Sequence, residues 1–201
     1  MRMWVANTIG ENQIDRFSAD KMGIETLTNF MWGRQATDWI LPIMWSVARK
    51  YPGGVFGEIG TRSGVSTTMF ALAARDVGGK VYSMDISTED RDEAVYNLGI
   101  SGLSKYVTLM QCDSHETDFP ELVDVLFIDG DHSYEGVKAD YERHAPRVNE
   151  GGTIFFHDPC SVEGVGDYLR EQGIFYLPIE AGLGIVSKGP HVPAGEIQAV
   201  A

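Results

Sequence analysis

The stretch Val55-Phe56-Gly57-Glu58-Ile59-Gly60-Thr61-Arg62-Ser63-Gly64-Val65-Ser66 decides the fold. Its apolar start reads as a short buried strand and its glycines as a turn. Met69, Phe70, Leu72, Ala73 and Ala74 then read as the buried side of a helix. In an open α/β sheet, the loop after the first strand is where a nucleotide-like ligand meets the backbone. Glycine suits such a loop because it reaches positive φ and has no Cβ to hold a ligand off. The spacing Glu-x-Gly-x-x-x-Gly-x-Ser differs from the dinucleotide pattern Gly-x-Gly-x-x-Gly, and no Lys-Ser/Thr pair follows to make a phosphate loop.

Outward from this turn, short β-branched runs alternate with helical patterns from Tyr51 onward, as in a parallel sheet. The patterning predicts strands near 55–59, 80–85, 106–111, 123–128, 152–157, 174–178 and 183–187, and helices near 64–76, 89–99, 133–148 and 162–172. The last two strands are separated only by a short Glu180-Ala181-Gly182 link, which predicts an antiparallel hairpin at the sheet edge. Upstream, Ala36, Trp39, Ile40, Ile43, Met44 and Val47 form a helical stripe that Pro42 interrupts. The proline predicts either a kink or a helix beginning near Asp38. The expected architecture is α/β: a doubly wound, Rossmann-like seven-stranded sheet, mostly parallel with a C-terminal antiparallel hairpin, plus an N-terminal helical cap. Residues 1–50 form the cap, 51–189 the ligand-binding domain, and 190–201 a frayed tail.

Composition narrows the function. A formal net charge of −13 over 201 residues leaves no basic stripe for a nucleic-acid backbone or an anionic membrane. A small-molecule substrate is the better expectation. The two cysteines, Cys112 and Cys160, suggest neither a disulfide framework nor a zinc site. Without a signal-like start or a spanning apolar run, a cytoplasmic location is expected. The aromatic-rich N-terminal segment can pack over the ligand cleft as a lid, or on a second copy of the chain as a homodimer contact.

Side chains able to do chemistry gather at the predicted strand ends. Asp85 closes the second strand, where a carboxylate can accept both hydroxyls of a ribose, and Ile86 beside it offers an apolar wall for a base. Asp113 and Ser114 follow the third strand, where a capping turn is an equal alternative. The fourth strand ends in Asp129-Gly130-Asp131-His132, and the fifth in His157-Asp158-Pro159. Adjacent strands lie about 4.8 Å apart, so Asp129 and Asp158 can face one cleft and reach a single hard cation. His132 and His157 are candidate bases, because imidazole titrates near neutral pH. Asp131 is either a further ligand or a cap for the next helix.

Taken together, the Glu58…Gly60…Gly64 turn, the run Phe127-Ile128-Asp129-Gly130-Asp131-His132-Ser133-Tyr134-Glu135-Gly136-Val137, and Phe156-His157-Asp158 resemble a known family. They resemble the class I S-adenosyl-L-methionine (SAM) methyltransferases, within them the methyltransferase domain 24 type, over about residues 53–188. The resemblance implies that Glu58, Gly60, Thr61, Gly64, Ser66, Asp85, Ile86, Asp113 and Ser114 hold SAM. It implies a small-molecule methyltransferase, most plausibly acting on oxygen, with Asp129, His132 and His157 as catalytic residues. A more distant likeness to catechol O-methyltransferase implies magnesium or another divalent cation on Asp129 and Asp158. Pro159 stands where that relative has an amide ligand, a gap His157 or Asp131 can fill. Arg62 and Ser63 also depart from the glycines common in the middle of this turn. The alternatives are an NAD-dependent dehydrogenase, a metal-dependent hydrolase or hydroxylase built on the Asp-x-Asp-His cluster, and a catalytically degenerate SAM-fold binding module.

Overall fold

The strand-helix alternation appears throughout residues 40–189, the part of the chain that a computed structural model describes. The order is α1 (Ile40–Ala48), β1 (Val55–Ile59), α2 (Val65–Val77), β2 (Lys80–Asp85), α3 (Arg91–Ile100), β3 (Val107–Gln111), β4 (Val123–Ile128), α4 (Tyr134–His144), β5 (Val148–His157), α5 (Glu163–Glu171), β6 (Tyr176–Leu177) and β7 (Leu183–Ser187). One seven-stranded sheet runs β3-β2-β1-β4-β5-β7-β6. Strands β1 to β5 pair in parallel, and β7 lies antiparallel between β5 and β6. The predicted hairpin is therefore present, with its second strand inserted inward.

Chain order reverses between β1 and β4, which puts the ligand-binding switch point at their carboxyl ends. Two apolar layers cover the sheet, as the two-residue alternation of strand side chains requires. Phe127 and Phe155 face α1 and α2, where they join Leu41, Met44, Phe70 and Leu72. Leu126, Ile128, Ile154 and Phe156 face the other way and pack with Val137 of α4 and with Val165, Tyr168 and Leu169 of α5. Each of these fully buried side chains contributes about 1.5–3 kcal/mol relative to exposure, so the strand ends rest on a rigid platform.

Several boundaries shift by a residue or two, β6 shrinks to Tyr176–Leu177 against the expected 174–178, and the join of α4 to β5 differs most. The helix predicted over 133–148 stops at His144 and tightens into a 3-10 turn at Ala145–Arg147. Pro146 has no N–H to continue the α ladder. The chain thus enters β5 at Val148, earlier than the predicted 152, through an irregular register between Val123 and Val125 of β4. Pro42 lies in the first described turn of α1, and the helix start expected near Asp38 falls outside the described residues. Of the cap expected over residues 1–50, residues 1–39 fall outside the described residues, as do the lid, the N-terminal homodimer contact and the tail from 190. Among the described residues, no helix is long and apolar enough to cross a membrane.

Candidate functional site

The β1–α2 turn forms the floor of the site. Its Gly60 N–H bonds the Met84 carbonyl of β2 at 2.8 Å, and Gly60 itself has φ of 98°. A Cβ there would stand 2.0 Å from the Asp129 carbonyl oxygen, so the turn lies directly against the end of β4. Arg62 follows with φ of 43°, a left-handed conformation costly for a side-chain-bearing residue. Its N–H donates to Asp85 Oδ2 at 2.7 Å, while Asp85 Oδ1 accepts the Ser87 N–H at 2.7 Å. Asp85 therefore fixes both the turn and its own loop.

A cleft of about 420 Å³ opens above, walled by Gly60, Arg62, Asp85, Ile86, Asp113, Ser114, Asp129, Gly130 and Asp131, among others. Ile86 is 70% exposed, an uncovered apolar surface beside a carboxylate. Asp113 Oδ1 accepts the His115 N–H at 2.8 Å, and the Ser114 hydroxyl donates to buried Asp140 at 2.7 Å. Burial raises the Asp140 carboxyl above its ordinary value, and its second oxygen has no hydrogen-bond partner among the described residues. Asp140 escaped the sequence reading because it sits mid-helix, where an acid gives no sign of pointing inward.

Glu58, expected at the cofactor, does not line this cleft. Its side chain faces α2, is wholly buried, and accepts hydrogen bonds from the hydroxyls of Thr67 and Ser83. Ser66 also interacts with Glu58, and Thr61 bonds Ser83 at 2.6 Å, so both expected cofactor residues buttress the turn from behind as well as bordering the neighbouring cavity. Burial pushes the Glu58 carboxyl up from 4.5 to about 7, although the hydroxyl bonds pull it down. The folded chain therefore keeps a proton that the unfolded chain releases near 4.5, so this contribution to stability is lost as pH rises from about 4.5 through 7. Glu58→Gln should stay neutral, so unfolding at pH 5 and pH 8 should show wild type losing about 2 kcal/mol relative to the variant. A constant difference between the two proteins across that range would contradict the neutral state.

A second cavity of about 310 Å³ adjoins the first and shares Gly60, Arg62, Asp129 and Gly130 with it. Its lining carries Asp129, His132, His157 and Asp158, each offering a ligand atom within 4.8 Å of the others. Asp129 Oδ1 lies 2.9 Å from His132 Nε2 and 2.9 Å from His157 Nδ1. Burial works to raise the Asp129 carboxyl, but the two imidazole bonds outweigh it and hold the group below its usual range. The bond to Asp129 chiefly raises His132. His157 is also raised: burial acts to lower it, and Asp129 and Asp158 override that effect. His157 Nε2 is buried without a hydrogen-bond partner among the described residues.

Asp131 stands outside this group. Its Oδ1 accepts the Ser133 N–H at 2.9 Å at the start of α4, which keeps its carboxyl below the ordinary value, and it borders only the larger cleft. The structure thus places Asp131 as a turn-former, and brings His132 and His157 together with Asp129 and Asp158. Arg62 was noted in the sequence only as a departure from glycine, yet it borders both cavities.

A match to the methyltransferase-domain family covers residues 58–159, which include the carboxyl ends of β1 to β5. The uncharacterized protein y4gI of Sinorhizobium fredii is 29% identical over 172 residues, which cover 76% of this chain. The chain spans about a fifth of that relative's length, since the match covers 19% of it. Among solved structures, the S-adenosylhomocysteine (SAH)-bound Podospora anserina methyltransferase PaMTH1 superposes with a TM-score of 0.66 at 14% identity, covering 90% of this chain and 97% of that one. A SAM-dependent O-methyltransferase from Thermotoga maritima superposes with a TM-score of 0.59 at 22% identity, covering 83% and 72%. With its glycine turn, its strand-end acids and its reversed sheet order, the chain belongs to the methyltransferase-domain family and has the Rossmann-like fold of class I SAM methyltransferases.

Proposed function

We propose that the protein transfers a methyl group from SAM to an oxygen of a small molecule, with a divalent cation on the strand-end cluster. The adjacency of the two cavities carries this reading. They share Gly60, Arg62, Asp129 and Gly130, so the reactive end of a ligand in the larger cleft faces a substrate in the smaller cavity.

The residues present fit the cofactor. Each Asp85 oxygen takes one backbone N–H and keeps a lone pair for a ribose hydroxyl. Ile86 provides an apolar face for a purine, and Asp113 and Ser114 provide polar atoms along its edge. Bound there, SAM supplies an electrophilic methyl carbon on its sulfonium. The chain's own work is to orient the acceptor, exclude water and remove one proton.

Proton removal falls to the cluster. At 32% side-chain exposure, His132 is the most open member, and Asp129 fixes its ring through Nε2. The same carboxylate stabilises the imidazolium formed when His132 takes a hydroxyl proton. Asp129, His157 and Asp158 would hold a cation, which lowers the pKa of a bound hydroxyl. An uncharged small acceptor suits a chain whose net charge of −13 repels polyanions.

Calorimetric titration of the whole chain with SAH, with NAD as control, tests the reading. Micromolar SAH binding without NAD binding is expected. Asp85→Ala should weaken SAH by about 10- to 100-fold, the effect of losing a charged hydrogen-bond acceptor. Absence of SAH binding in wild type would overturn the cofactor assignment.

A further inference from the structure

We propose that this cluster is a mixed nitrogen-oxygen site selecting a transition-metal dication of the manganese-to-zinc class over magnesium, with His157 Nδ1 as the selecting ligand. The proposal rests on the reading of this cleft as a methyltransferase site.

The geometry comes first. His157 Nδ1 lies 2.9 Å from Asp129 Oδ1 and 3.5 Å from Asp158 Oδ2. Donors on one ion with bonds of about 2.1 Å stand about 3.0 Å apart at right angles and about 3.4 Å apart at tetrahedral angles. His157 Nδ1 is therefore spaced from each carboxylate as two ligands of one small ion are, and the two carboxylates offer ligand atoms within 4.8 Å of each other.

The backbone enforces that convergence. Consecutive strand residues point to opposite faces, so His157 and Asp158 should diverge. Asp158 instead has φ of 65°, a left-handed conformation that ends the alternation and brings its carboxylate to the side where His157, two residues beyond the Phe127–Phe155 pair, already faces Asp129. The Ser161 hydroxyl then donates to Asp158 Oδ1 at 2.8 Å, leaving Oδ2 as the oxygen nearer the imidazoles. An outer hydrogen bond of this kind orients a ligating carboxylate.

The donor set decides the metal class. Magnesium takes oxygen ligands and keeps much of its water, and calcium requires six to eight oxygens. Imidazole suits the later divalent ions, which hold nitrogen more strongly. A nitrogen at the corner of the triangle penalises magnesium and rewards manganese, iron, cobalt or zinc. His132 reaches the same two carboxylates, at 2.9 Å and 3.3 Å, but is the most open of the four and serves as the base beside the triangle.

The test uses the full chain stripped with a chelator, then titrated with Co²⁺, Mn²⁺ and Mg²⁺ by calorimetry, and with Co²⁺ by visible absorption. Co²⁺ should bind at least about 100-fold tighter than Mg²⁺. His157→Ala should shrink that ratio by at least tenfold, whereas His132→Ala should leave it within about threefold. Spin-echo spectroscopy of Mn²⁺-loaded wild type, which needs no variant to fold, should show nitrogen coupling from imidazole. Equal Co²⁺ and Mg²⁺ affinity, an unchanged ratio in His157→Ala, no nitrogen coupling, or no binding of any ion would each overturn the proposal. SAH titration of the same samples separates the two claims. Retained SAH binding with any of those results removes only the metal assignment, and lost SAH binding in wild type removes the methyltransferase reading.

Discussion

Gly60→Ala should cost at least about 4 kcal/mol of stability, which for a chain of this size lowers the melting temperature by about 10 °C. The new methyl would stand 2.0 Å from the Asp129 carbonyl oxygen and 2.7 Å from its carbon. Both are backbone atoms at the join of β1 and β4 in the middle of the sheet, where the Asp129 N–H bonds the Ile59 carbonyl at 2.9 Å. Neither neighbour can move without breaking that ladder, and φ of 98° adds strain for any side-chain-bearing residue. Gly78→Ala is the matched control: it too has positive φ, but nothing lies within 4 Å of its added Cβ. Its cost should be about 1 kcal/mol. Urea unfolding of the two variants beside wild type checks both values. Equal effects would mean that left-handed strain, rather than the contact with β4, explains the glycine at 60.

Asp129→Asn should reduce turnover by about 10²- to 10⁴-fold, the usual contribution of a positioned acid-base group. One carboxylate oxygen serves both imidazoles, so an amide in its place leaves His132 Nε2 without its charged partner and the cation triangle without one charged corner. Asparagine is nearly isosteric, and the ribose-side contacts centre on Asp85, so SAH affinity should stay within about threefold of wild type. The measurement is SAH formation with an acceptor that wild type methylates, set beside SAH titration of the variant. Undiminished turnover would remove Asp129 from proton transfer. A parallel loss of SAH binding would place it in the cofactor site instead.

The sheet was legible because its signals are local: apolar runs of strand length, glycines between them, and helical stripes in alternation. Strand-end acids were legible too, since an open parallel sheet exposes only its carboxyl edge to a ligand. Glu58 shows where such reasoning stops. Its facing depends on strand parity, and its hydroxyl partners Thr67 and Ser83 come from α2 and β2, so nothing in the local spacing announces a buried acid. Asp131 and Asp158 make the same point from opposite sides. Both are acids just beyond strands, but the first folds back on the Ser133 N–H while left-handed backbone swings the second toward the imidazoles. The join of α4 to β5 was missed because a 3-10 turn around Pro146 replaces the last helical turn.

The close contact of Gly60 with the Asp129 carbonyl makes one wall serve two binding events. A ligand that displaces the β1–α2 turn must displace the root of the cation triangle, because no side chain lies between them to absorb the movement. Cofactor and cation affinities then become reciprocal: whatever factor the first applies to the second, the second returns to the first. The order in which the two arrive affects the rate of loading and leaves the final occupancy unchanged.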